Sequence, residues 1–255
     1  MSLFVSLLCP PKCLFCRERL PYDTALPFCN PCHKEWEKET EEVCGFCNAP
    51  VKDCLCTTEL MQKAGLRVLF KSAYYKAGRK TLPNRVLFRM KETSSSRLYS
   101  FLGGEIAPKI FAYLQTEKIS LDDCLFVHAP RHRRAAAGAG MDQAERMAKE
   151  LSKRLGIPHL YALIRRRDKN KAQKELDVGG RLQNAKNSFT TAQGTDLSGK
   201  TILLVDDTVT TGATMAACAK LLKGIGAKRI LCVSVTLDEV GRYPREAILS
   251  TKPYA

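Results

Sequence analysis

The amino-acid sequence predicts an α/β protein, a mostly parallel central sheet flanked by helices, with a small cysteine-rich module ahead of it. Three observations carry this expectation. Short apolar runs alternate with helix-patterned stretches after about residue 60. Nine of the twelve cysteines fall before residue 57, mostly as spaced pairs. One apolar run, Thr201 to Val205, ends in two adjacent carboxylates, Asp206 and Asp207, and enters a loop of threonines and one glycine. With 255 residues, 45% of them hydrophobic, the chain can bury one full core and carry an accessory module. The boundary is placed at residue 60, giving a cysteine-rich module over 1–60 and a larger domain over 61–255.

In that first module Cys13 and Cys16, Cys29 and Cys32, and Cys44 and Cys47 form C-x2-C pairs, and Cys54 and Cys56 close the series as C-x-C. Two-residue spacing lets both thiolates of a tight turn face one ion, and two such turns supply the four sulfurs of a structural zinc. Eight cysteines therefore predict two Zn2+ sites. Pairing in sequence (Cys13, Cys16, Cys29, Cys32, then Cys44, Cys47, Cys54, Cys56) and cross-braced pairing are both compatible with the spacing. A disulfide framework would need an export signal. The apolar start, MSLFVSLLC, is too short for one, so a cytoplasmic protein is expected. Pro21, Pro27, Asn30-Pro31 and Asn48-Ala49-Pro50 between the pairs predict short hairpins rather than long helices. His33 is expected to be exposed rather than a ligand. With four sulfurs spent on each ion and no open position left, the module is expected to be structural.

Beyond a connecting stretch near Thr57 to Ala64, the predicted strands are Leu125–His128, Ile157–Ile164, Thr201–Val205 and Arg229–Leu237. Asp142 caps a helix with Glu145 three residues on, Ala144, Met147, Ala148, Leu151 and Leu155 follow at helical spacing, and Gly156 stops it. Ala213 to Gly224 is the second helix, ended by Gly224 and Gly226. Strand, helix, strand implies right-handed crossovers and ligands at the carboxyl ends of the strands, where Asp206 lies.

An Asp pair there can accept hydrogen bonds from vicinal hydroxyls. The turn Thr208 to Thr214 offers hydroxyls and successive N–H groups at a helix N-terminus, which suits a phosphate. A ligand with both features is a ribose 5-phosphate. Gly194 to Thr201 (GTDLSGKT) also fits a Walker A pattern. A phosphate loop of that kind follows a strand and opens a helix, whereas here a strand comes next, so Gly199-Lys200 reads as a turn. A haloacid dehalogenase nucleophile would need an Asp at 208, where Thr208 stands.

VDDTVTTGAT closely resembles the phosphoribosyl pyrophosphate (PRPP) motif of type I phosphoribosyltransferases, and with the cysteine module ahead of it the chain resembles the ComF family. Arg89-Met90-Lys91 is similar to that family's basic "LK" segment, and Gln173, Leu176, Arg181 and Asn184 match its "Q..L....R..N" stretch. The resemblance implies the type I phosphoribosyltransferase fold behind a double zinc ribbon. It also implies that Asp206 and Asp207 bind the ribose hydroxyls, directly or through Mg2+, and act as the catalytic pair. Thr208, Thr210, Thr211, Gly212, Ala213 and Thr214 would contact the substrate and wrap its 5-phosphate, and Pro130 and Arg131 would lie near the pyrophosphate. Arg165 to Leu176 would be a loop over the site carrying Arg165, Arg166, Arg167 and Lys169. One stretch departs from the family: Ala139-Gly140-Met141-Asp142-Gln143 replaces R-G-F-N-Q, leaving Arg131, His132, Arg133 and Arg134 as the basic residues at hand. Position 210, commonly an Asp base in 6-oxopurine salvage enzymes, is Thr210, which argues against that substrate class.

The net charge of +15 divides unevenly, −3 over residues 1–60 and +18 over 61–255. A basic domain suits polyanions and phosphorylated small molecules. Between Arg131 and Arg181 lie 14 Lys/Arg against six Asp/Glu, so Arg133, Arg134, Arg165, Arg166, Arg167, Lys169 and Arg181 are candidate phosphate or nucleic-acid contacts. Tyr74, Tyr75 and Phe88 are candidate stacking residues, with core packing as their competing role. The resemblance implies DNA uptake, single-stranded DNA and an uptake helicase as partners. An active phosphoribosyltransferase on an unidentified nucleophile, a PRPP-binding nucleic-acid protein and a zinc-organised scaffold are the three readings. No membrane span is expected.

Overall fold

The structure, a computed structural model, describes residues 10–92, 95–130, 142–166, 189–192 and 194–239. A four-stranded parallel sheet runs β1 (Leu69–Phe70), β8 (Arg229–Val233), β6 (Thr201–Val205), β3 (Cys124–His128) in spatial order. Three of these chains resume two residues later as β2 (Ala73–Tyr75), β9 (Thr236–Asp238) and β7 (Thr208–Val209), again parallel. The predicted strand Arg229–Leu237 is thus two strands, parted at Ser234-Val235. Hydrogen bonding crosses the part: Asp206 N donates to Val233 O at 2.9 Å and Val235 N to Asp207 O at 3.2 Å. Asp206 and Asp207 therefore sit where the sheet kinks, with the Asp206 N–H and the Asp207 carbonyl taken up by β8 and the segment after it.

All five residues of β6 are buried, as expected of a central strand covered on both faces. Alternation divides them. Leu203 and Val205 join one apolar cluster, together with helices α4 (Ser96–Thr116) and α5 (Gln143–Leu155). Ile202 and Leu204 join a second, with α6 (Ala213–Gly224) and Met61. The outcome is a three-layer sandwich, with α5 capped by Asp142, whose Oδ1 accepts from Ala144 N and Glu145 N, and closed by Gly156 in the left-handed region. Both ends of α5, and the bounds of α6 and β6, lie where the sequence predicts.

The strand expected over 157–164 is not continuous. Pro158 has no N–H to give, Ala162 takes a positive φ of 53°, and the segment touches β3 through one bridge at Phe126 and His159. The strand there is β4 (Ile164–Arg166), antiparallel to β5 (Phe189–Thr191). The cysteine module also departs from expectation, since Pro31 opens an 11-residue helix, α1 (Asn30–Thr40), rather than a turn. Proline is tolerated in a helix's first turn because its missing N–H has no partner to lose there. The connecting stretch after Cys56 holds a helix too, α2 (Glu59–Lys63), capped by Thr58. A further helix, α3 (Leu82–Glu92), follows β2.

Candidate phosphate site and thiolate clusters

The module's sulfurs gather in two groups, Cys13/Cys16/Cys29/Cys32 and Cys44/Cys47/Cys54/Cys56, each with ligand atoms within 4.8 Å of one another. Sequential pairing is therefore the one the fold adopts. The donor set fits zinc: a tetrahedron with bonds of about 2.3 Å has sulfurs about 3.8 Å apart. Burial opposes charging these thiols and pushes Cys29 up to about 11, while the amides of Cys29, Cys16 and Phe15 draw Cys13 down to about 7. In the second group Lys71 Nζ lies 3.3 Å from Cys54 Sγ. The C-x-C pair, for all its short reach, brings both sulfurs to the cluster. His33 stays outside, packed edge-on to Phe101 and 3.8 Å from Glu37.

At the kink of the sheet, Asp206 and residues Thr208 to Met215 line a cavity of about 100 Å3. That space takes several waters, and so one phosphate group. Gly212 caps α6 at φ 82° and has no side chain to offer the first turn, where Ala213 N lies 3.4 Å from Thr211 Oγ1 and Ala213 to Met215 line the cavity. Only glycine fits: a Cβ would lie 2.4 Å from Met61 Cγ and 2.5 Å from Thr58 Oγ1. Asp206 N–H is used by the sheet, while its Oδ1 accepts from Asp207 N at 2.9 Å. Dense enclosure by protein, then the adjacent Asp207 carboxyl, raises the Asp206 pKa well above the usual carboxylate range. A cation arriving there would restore the charged form.

Val205 is in register with His128, the last residue of β3, and Ala129 N donates to Val205 O at 2.8 Å. Pro130 is thus placed near the Asp pair, at the start of the segment expected to hold pyrophosphate. Sequence reading missed His128 itself, which is 5% exposed and has Nδ1 3.0 Å from His159 Nε2. Burial lowers both pKa values, His159 to about 4, with the neighbouring His128 adding to the effect there. Arg165 is exposed at the β4–β5 base, and Arg166 lies on β4. Arg131, Arg133, Arg134, Arg167, Lys169 and Arg181 lie outside the described residues, as do Gln173, Leu176 and Asn184. Tyr74 is a core residue, whereas Phe88 is 64% exposed. Among the described residues no helix is long and apolar enough to cross a membrane.

The model of the phosphoribosyl transferase domain family matches residues 141–251. Competence protein F of Haemophilus influenzae is 35% identical over 92 residues, a match spanning 36% of this chain and 40% of that protein. Competence protein ComFC of Streptococcus pneumoniae is 26% identical over 246 residues, covering 88% of this chain and 99% of that one. A solved purine phosphoribosyltransferase from Pyrococcus horikoshii is 22% identical, covers 60% of this chain and 71% of its own, and superposes with a TM-score of 0.30.

Proposed function

We propose that this chain, a ComF-type protein carrying a phosphoribosyl transferase domain in the type I fold, binds PRPP with Mg2+ along Asp206 to Thr214. One observation carries the reading: the Asp206 carboxyl at a strand end and the glycine-capped N-terminus of α6 line one small cavity, with Asp207 adjacent in sequence. Asp206 and Asp207 would accept hydrogen bonds from the ribose hydroxyls. Thr210, Thr211, Ala213 and Thr214 would hold the 5-phosphate, with Gly212 allowing the close approach. Mg2+, held by the same carboxylates and the ligand, would supply charge neutralisation at the pyrophosphate. In a transfer reaction the bond from anomeric carbon to pyrophosphate oxygen breaks as an acceptor attacks, and the Asp pair faces the charge that develops on the ribose. The acceptor pocket would be bounded by Thr210 rather than an acid, which does not suit a 6-oxopurine.

The test is isothermal titration of PRPP with Mg2+ into the zinc-loaded protein and into an Asp206→Ala/Asp207→Ala variant with an unchanged circular-dichroism spectrum. Saturable binding in the parent and none in the variant supports the site. Equal heats in both refute it.

A second reading, handling of single-stranded DNA, is favoured by one surface feature, and the two similar proteins are both named competence proteins. A groove of about 530 Å3 between the first cysteine turn and α3 is lined by Phe15, Phe88, Arg85, Lys80 and Arg89, the last paired with Glu92 at 2.8 Å. Phenyl rings and cations side by side suit bases and phosphates. Steeply salt-dependent binding of an oligothymidylate, lost in Phe88→Ala, supports this reading, and binding indifferent to salt refutes it.

A further inference from the structure

The chain leaving the second thiolate cluster runs straight to the phosphate loop. Cys56, a ligand by position, is followed by Thr57, whose Oγ1 donates to Leu66 O at 3.1 Å, and by Thr58, whose Oγ1 donates to Thr211 O at 2.8 Å. Thr58 is 3% exposed and also accepts from Met61 N at 3.3 Å, so its hydroxyl is fixed from both sides. Met61, fully buried, lies against the Cα of Gly212. On the other side of the cluster, Lys71 Nζ donates to Cys54 O at 2.7 Å and Cys56 O at 3.1 Å, fastening the ligand segment to the sheet. Lys223, near the end of α6, donates to Ala64 O at 2.9 Å and closes the circuit. β2, which follows Lys71, pairs β9, which pairs β7 at Thr208.

Resting on the reading of the loop as a PRPP site, we propose that the second zinc site is a positioning element for the phosphate loop and that Thr58 is the residue through which it acts. The reasoning is mechanical. Thr211 and Gly212 must hold one backbone shape for the amides of α6 to converge on a phosphate, and Gly212 alone has little conformational preference to enforce it. The restraint comes from Thr58 and Met61, whose own positions depend on a two-residue lead from a metal ligand. No equivalent lead from the first cluster to the loop is present among the described residues. Its contacts run instead to α3 and α4.

The test uses full-length protein loaded with zinc, as parent, Thr58→Val and Thr58→Ser. Thr58→Val keeps the shape and loses the hydroxyl. PRPP·Mg2+ affinity should fall roughly fivefold to tenfold, the share of one buried hydrogen bond, and Thr58→Ser should restore it. Amide hydrogen exchange over 208–214 should quicken in Thr58→Val without ligand, while the zinc content stays at the parent's value. Linkage requires the reverse effect. Saturating PRPP should slow loss of one of the two zinc ions to a chelator in the parent, and not in Thr58→Val. A Thr58→Val protein with the parent's affinity and exchange overturns the proposal while leaving the PRPP site standing. A parent that fails to bind PRPP overturns both, and unchanged exchange over 208–214 in Thr58→Val overturns the positioning role by itself.

Discussion

The two thiolate clusters have the same ligand chemistry and different attachments. Around the first, Phe28, Trp36 and Phe101 form a ring cluster with centroids 5.4 to 6.0 Å apart, and Trp36 Nε1 reaches Glu105 Oε2 at 3.4 Å. This cluster is held to α4 mainly by apolar packing, and its remaining hydrogen bonds, from Arg85 to Phe15 O and from Arg89 to Leu14 O, run to α3 and not to the loop. The second is held to the sheet and the phosphate loop by hydrogen bonds, through Lys71 and Thr58. Packing tolerates small shifts and conveys little about position, whereas a buried hydrogen bond fixes an atom to a few tenths of an ångström. The first cluster therefore secures the module, and the second bears on the geometry of the loop.

The largest expected effect breaks both at once. Removing zinc with a strong chelator should abolish structure on the order of 10 kcal/mol per site, as structural zinc does elsewhere. Trp36 is the sole tryptophan of the sequence and is 1% exposed, so its emission should shift to the red as the first site opens. An emission maximum unmoved by full metal removal would show that packing alone holds the first cluster.

Gly212→Ala addresses the loop. It places a Cβ at φ 82° against Met61 and Thr58, so binding of PRPP should weaken by at least tenfold and stability should fall by about 1–3 kcal/mol. Calorimetry and a thermal melt check each.

Phe101→Ala and Lys71→Met separate the two attachments. Each should cost about 2–3 kcal/mol, one by losing aromatic packing and the other by leaving the carbonyls of Cys54 and Cys56 buried without a partner. Only Lys71→Met should weaken PRPP binding. Equal affinity in the two variants would erase the distinction drawn between the clusters.

The smallest effect is a pH dependence at the β3 end of the site. An unfolded histidine takes up a proton near pH 6.5, while folded His159 does so at about 4. Between those values the unfolded chain binds more protons, so stability should be full above 6.5 and decline as the pH falls toward 4. His159→Gln should flatten that slope in melts recorded across the window. Asp206 is shifted the other way, upward, and its consequence is read in binding. Its raised pKa means that the free protein retains a proton that Mg2+ and ribose must displace, so affinity should increase with pH.

Much of this was legible in the sequence where local rules and tertiary burial agree. The Asp142 cap, the Gly156 stop, the TILLV strand and the helix behind Gly212 each rest on a short pattern that the fold then satisfies. The pairing of the cysteines needed three dimensions, because spacing within a pair says nothing about which pairs meet. The strand expected over 157–164 failed since apolar content there concealed Pro158 and the positive φ of Ala162. Asn30-Pro31 looked like a turn because the same dipeptide begins helices as readily as it ends strands. Thr58, Lys71 and the His128–His159 pair gave no functional signal at all. Each acts through a partner distant along the chain, 153 residues away for Thr58 and Thr211.

The measurement that bears most directly on the central claim is the calorimetric titration of PRPP and Mg2+ into zinc-loaded parent, Asp206→Ala/Asp207→Ala and Thr58→Val proteins at one pH. Saturable binding in the parent, none in the double variant and weakened binding in Thr58→Val is the predicted result. Absence of binding in the parent, or the same affinity in all three, would contradict the account.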